Sequence, residues 1–174
     1  MPEALTDGER WARQELERLL AGRFRPAAVA RFLRASLDRS AKVRAERPEL
    51  AAQSRRWMAA GALAYLAAPG VDRGPALAWW GATALMLDWH LGMLETPDGR
   101  PRPLGAADAL TLTRAWLVPV AARRPAPAVC AAAGLTDVLD GPLARAAGPT
   151  RAGRDLEALV DACFATAALS GLAR

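Results

Sequence analysis

The sequence predicts an all-α protein, an integral membrane helical bundle preceded by amphipathic cytoplasmic helices. Two observations carry that expectation. After residue 56 the 174-residue chain falls into five apolar runs, and before it apolar residues recur with helical spacing. The charge divides at the same place. Residues 1–56 hold 13 Lys/Arg against 8 Asp/Glu, a net of +5, whereas residues 57–174 hold 10 against 10. With 52% apolar residues the chain is too hydrophobic to be disordered. Two cysteines, Cys130 and Cys163, and a single histidine, His90, exclude a disulfide scaffold, a zinc finger and a multi-histidine metal site.

Segment 1–56 reads as basic amphipathic helices. Thr6 and Glu9 have the spacing of a capping box, and Leu16, Leu19 and Leu20 form an apolar stripe after them. Pro26 opens a second helix, in which Val29, Phe32, Leu33 and Leu37 share a face that excludes Arg31, Arg34 and Arg39. Such a helix suits an anionic membrane surface, and it reads equally as a solvated helix packed on its neighbours. Nucleic acid is not an expected partner, since the basic segment offers only Trp11, Phe24 and Phe32 for stacking. No signal peptide is expected, because the first apolar run of useful length starts near residue 57.

Segment 57–104 reads as an additional membrane hairpin followed by a cytoplasmic loop. Trp57 to Gly70 and Gly74 to Leu87 are uncharged, with the Pro69–Pro75 turn between them. In segment 105–174, further runs cover about 106–121, 125–139 and 156–173. Asp88, Arg114, Asp137 and Asp161 border or interrupt these runs, so none reaches the roughly 18–20 uninterrupted apolar residues of an ideal span. Five of them nevertheless exceed what one small soluble core needs. Arg55 and Arg56 before the first run place the N-terminus in the cytoplasm, and Arg100 and Arg102 place the loop 96–105 there too. The fourth run then delivers Asp137 and Asp140 to the cytoplasmic side, although Arg123 and Arg124 in the outer turn run against the rule. Trp57, Trp79 and Trp80, near run ends, suit an aromatic belt.

The chemistry gathers between 137 and 161. Asp137 and Asp140 are three apart, hence on one helix face, and Gly153, Glu157 and Asp161 are spaced by four on the next. If those helices are antiparallel neighbours, four carboxylates converge, and a shared cation is what allows them all to stay ionised. Oxygen ligands without histidine favour Mg²⁺, Mn²⁺ or Ca²⁺. Gly141 and Gly153 remove side chains beside the acids and let a ligand approach. The same acids also read as solvated helix-end charges. His90, beside Asp88 and Glu95, reads as an interfacial histidine rather than a ligand, the two cysteines as small apolar fillers, and Gly70, Gly74 and Gly81 as turn or packing residues.

The run Asp137-Val-Leu-Asp140-Gly141-Pro-Leu-Ala144-Arg145, followed by Gly153, Glu157 and Asp161, resembles the DxxDGxxAR signature of the CDP-alcohol phosphotransferases with its following glycine and two acids. Upstream, Asp108-Ala-Leu-Thr111-Leu-Thr-Arg114 is similar to that family's NxLTxxR opening of its first core helix, with Asp for Asn. Glu157 stands where the family has Asp.

The resemblance implies that 105–174 is the first half of a phosphotransferase transmembrane core, incomplete at its C-terminus. It implies transfer of a phosphatidyl group from a CDP-linked donor such as CDP-diacylglycerol to a small alcohol, with release of CMP, in phospholipid biosynthesis. By that likeness Asp137, Asp140, Glu157 and Asp161 bind two Mg²⁺ or Mn²⁺ ions, and Asp161 is also the catalytic base. Gly141, Ala144, Arg145 and Gly153 cradle the CDP moiety. The site faces the cytoplasm of a multi-pass cell-membrane protein, and a homodimer fits the family. The alternative is an inactive or truncated relative that binds CDP-lipid or metal, or serves as a membrane scaffold.

Overall fold

The computed structural model describes residues 5–173 apart from 97–98 and 148–150, and within its helices the side chains at 140, 144–147 and 151–155 lie outside the description. The chain is all-α. Its helices are α1 (Asp7–Ala21), α2 (Pro26–Glu46), α3 (Pro48–Ala67), α4 (Arg73–His90), α5 (Ala106–Arg123), α6 (Pro127–Ala147) and α7 (Arg151–Leu172), with a short 3₁₀ turn at Leu91–Met93. Among the described residues the β-structure is one isolated bridge, Glu95 with Pro101.

The local signals act as their chemistry requires. Thr6 caps α1 reciprocally with Glu9: the Glu9 N–H donates to the threonine hydroxyl at 3.3 Å, and the Thr6 N–H donates to the Glu9 carboxylate at 2.8 Å. Pro26 and Pro48 each stand at the first turn of a helix, where the missing N–H costs nothing. Pro48 also sets a difference from expectation. The change of texture at Trp57 falls inside α3, which begins at Pro48 and buries Leu50, Ala51 and Ser54 on the inner side of its first half.

Each of the five apolar runs falls mostly within one of the five helices α3–α7. Among the described residues, however, no helix is long and apolar enough to cross a membrane. The first half of α3 is polar, and α5 carries Asp108 and Arg114 within its length.

Helix α5 is central, packed along both α6 and α7. Its buried positions Asp108, Thr111, Ala115, Val118 and Ala121 recur every three or four residues, with Arg114 and Leu117 beside them. Two apolar clusters join the rest to it. Val43, Leu50, Leu87, Leu91 and Leu104 bind α2, α3 and α4 to the connecting loop. Tyr65, Ala76, Trp80, Ala115 and Val160 bind the α3–α4 hairpin to α5 and α7.

Trp79 and Trp80, two of the three tryptophans expected in an aromatic belt, have partners inside the bundle, as does Trp116. Trp79, Trp80 and Trp116 donate their indole N–H groups to the carbonyls of Ala115, Met58 and Gly61, at 2.8, 2.7 and 3.0 Å. Each hydrogen bond crosses from one helix to another, so these rings fasten the bundle internally. Tyr65 stacks on Trp116 with centroids 4.6 Å apart and meets Trp80 edge-on at 6.0 Å. Close approach matters at Gly171 of α7, where an added Cβ would lie 2.5 Å from the carbonyl oxygen of Ala121 on α5.

Candidate functional site

At the junction of α5, α6 and α7 the side chain of Arg114 is 2% exposed. It projects from the buried face of the central helix, where a cation without a partner would be costly. Partners come from both neighbours. Nη1 lies 2.7 Å from Asp137 Oδ1 on α6, Nε 3.3 Å from Asp161 Oδ1 on α7, and Nη2 3.8 Å from Glu157 Oε1. The planar guanidinium fork lets one side chain serve three carboxylates approaching from different directions.

The local sequence explains how the acids arrive there. Ala133 of α6 is buried, and Asp137 follows it by one turn on the same side. Glu157 and Asp161 stack at i, i+4, with Val160 buried beside them. One carboxylate oxygen from each of the three acids lies within 4.8 Å of the others. Their side chains are 59%, 40% and 43% exposed, so the cluster has a buried cationic floor and an acidic face open to solvent.

These donors fit a hard divalent cation such as Mg²⁺ or Mn²⁺, which takes oxygen ligands and tolerates solvent in its shell. Three formal negative charges and the Arg114 positive charge sum to −2, which one divalent ion balances. Exposed acidic groups also occur commonly without a metal.

Of the residues expected at the site, Asp137, Glu157 and Asp161 are brought together. Gly141 is half-buried on α6, one turn beyond Asp137. The side chains of Asp140, Ala144 and Arg145, and position 153, lie outside the described residues, so the fourth carboxylate and most of the expected CDP cradle are not placed.

Arg114 is the member that the sequence reading did not assign to the acids. The available signal was a cation inside an otherwise apolar stretch, which demands a counter-charge. Asp108, also upstream, has a local role: its Oδ2 accepts from the Gly105 N–H at 2.7 Å and caps the start of α5.

The other titratable group considered from sequence is dispersed. Nδ1 of His90 pairs with the Met86 carbonyl at 2.6 Å, Asp88 pairs with Arg44, and Glu95 pairs with Arg47 at 3.2 Å. Cys163 is half-buried, whereas Cys130 is exposed on α6 and fills no core. The chain matches no family model, no curated protein and no solved structure with which it was compared.

Proposed function

We propose that the chain is a membrane transferase moving a phosphatidyl group from a CDP-linked lipid to an alcohol, with release of CMP. One observation carries this reading: Asp137, Glu157 and Asp161, the acids singled out by their spacing, converge from two helices within 4.8 Å. In the proposed reaction the acceptor hydroxyl forms an O–P bond to the transferred phosphoryl group, the P–O bond to CMP breaks, and Asp161 takes the hydroxyl proton. Arg114 holds Asp161, Asp137 and Glu157 in place from below. A bound Mg²⁺ or Mn²⁺ would supply charge neutralisation for the donor pyrophosphate.

The membrane part rests on the exterior of the bundle. Leu63 and Leu66 of α3, Leu135 and Val138 of α6, and Leu169 and Leu172 of α7 are exposed and available for contact with lipid. With 18 residues, α4 is about 27 Å long, slightly short of a hydrocarbon core of about 30 Å. On this reading the N-terminus and the acids face the cytoplasm.

The test is CMP release from CDP-diacylglycerol with Mg²⁺ or Mn²⁺ across a panel of alcohols, beside Asp161→Asn and EDTA controls. Metal-dependent release that disappears in the variant is expected. Release that persists in EDTA or in Asp161→Asn would overturn the assignment. Recovery of the chain from alkaline-washed membranes tests the location, and a chain that stays in the supernatant without detergent refutes it.

A second reading, an inactive relative that keeps the fold, is favoured by the ion pairs through which Arg114 already engages the acids. Metal binding with no CMP release from any acceptor is the result that would select it.

A further inference from the structure

A cavity of about 230 Å³ lies between α4, α5 and α7, outside the acid cluster but sharing two of its helices. Its walls include Trp79, Thr83 and Met86 of α4, Leu112 of α5, and Val160 and Cys163 of α7. Polar groups on its lining have backbone partners. The Thr83 hydroxyl donates to the Trp79 carbonyl at 3.1 Å, the Thr111 hydroxyl donates to the Ala107 carbonyl at 3.3 Å, and Asp108 accepts from the Gly105 N–H. A buried water needs two or more polar partners, and the threonine hydroxyls of this lining are already spent on backbone carbonyls, as is the Trp79 indole N–H on that of Ala115. The space is therefore apolar, and it exceeds the engineered cavities of about 150 Å³ that stay dry and take up benzene.

Two lining residues, Ala82 and Leu159, are exposed and mark its mouth. Leu156 and Val160 immediately precede Glu157 and Asp161 on α7, and Thr111 is one turn before Arg114 on α5. The apolar space and the charged cluster therefore share α5 and α7 but open on different sides of α7, since Leu159 lies about 200° around that helix from Glu157.

We infer that the cavity receives one alkyl chain of an amphiphile whose polar head stays in solvent at the mouth between Ala82 and Leu159. The identity of the head rests on the transferase reading, whereas the alkyl site does not. A single chain suits the volume and the lining, and its packing against α4 gives the hairpin a direct part in selecting lipids.

The test is direct binding of butyl, octyl and dodecyl phosphate to the full chain in digitonin, whose rigid sterol body does not mimic an alkyl chain. Saturable one-to-one binding is expected, tightening strongly from butyl to octyl and levelling off once the cavity is full. Thr83→Phe, which projects a ring into the space, weakens octyl phosphate by at least about tenfold, the equivalent of about two lost methylenes.

In a Cys130→Ala chain, octyl phosphate also slows methanethiosulfonate labelling of Cys163, and inorganic phosphate does not. Affinity independent of chain length, or unsaturable uptake, overturns the inference. So does Cys163 labelling at the same rate with octyl phosphate as without it. None of these measurements needs metal or turnover, so alkyl binding without CMP release would refute the transferase and leave the cavity's role standing.

Discussion

Arg114 and Asp137, 23 positions apart, meet through a contact of 2.7 Å in which the first side chain is 2% exposed and the second 59%. The pair joins the interior of the bundle to its open acidic face. The exposed partner can stay hydrated alone and the buried one cannot, and that asymmetry makes the site testable by substitution.

Arg114→Met is expected to destabilise the fold by about 1 kcal/mol. The acids left behind are 40–59% exposed and stay hydrated, so the cost comes from their mutual repulsion, screened by solvent, and not from a stranded buried charge. The formal charge of the described cluster falls from −2 to −3, so Mg²⁺ or Mn²⁺ should raise the melting temperature more in the variant than in the parent. Thermal unfolding followed by circular dichroism checks both points. Equal metal-induced shifts in the two proteins would refute this account of the cluster's charge balance.

Asp137→Asn has the opposite effect on metal binding. Arg114 keeps Asp161 and Glu157, and the asparagine oxygen can still accept its N–H, so the stability change should stay within about 1 kcal/mol. A divalent ion loses one of three candidate ligands, and Mn²⁺ affinity should fall by at least about tenfold, or about 1.4 kcal/mol. Titration calorimetry with Mn²⁺ measures the difference. Unchanged affinity would show that Asp137 does not hold the ion.

The contrast between these residues also explains what the sequence could reveal. Glu157 and Asp161 share a face by i, i+4 spacing, and Asp137 carries its own local motif, so each acid is visible within one helix. That Arg114 lies beneath them depends on which helix is central, and no local period encodes helix order. Trp80 and Trp116 pose the same problem, because their indole partners, Met58 and Gly61, lie 22 and 55 positions away. Capping by Thr6 and Glu9 was legible because both groups belong to one turn. The start of α3 was not, because composition changes at Trp57 whereas the helix is initiated by Pro48.

Gly61 and Gly81, both within helices, should respond oppositely to alanine. A Cβ at Gly61 would lie 2.1 Å from Cζ2 of Trp80, which is buried and tied to Met58, so Gly61→Ala should cost about 1–3 kcal/mol. Gly81 has nothing within 4 Å of the same position, and Gly81→Ala should stabilise by about 0.5–1 kcal/mol through helix propensity alone. Chemical denaturation of the two variants provides the comparison. A Gly61→Ala chain as stable as its parent would mean that the Trp80 ring has room to move.

Arg47 and Glu95 bring the α2–α3 junction and the connecting loop together, 48 positions apart, at 3.2 Å. The Glu95 side chain is 8% exposed and that of Arg47 is 23%, so both ions give up much of their hydration. Arg47→Met leaves a buried carboxylate without its cation and should cost about 3 kcal/mol, whereas Glu95→Gln, which retains a polar group of the same shape, should cost about 1–2 kcal/mol. Once the carboxylate has gone, removing Arg47 has less left to break. The double variant should therefore be more stable than the sum of the single losses by about 1–3 kcal/mol. Strict additivity in that cycle would mean that the N-terminal helices are held by the apolar cluster of Val43, Leu50 and Leu91 alone.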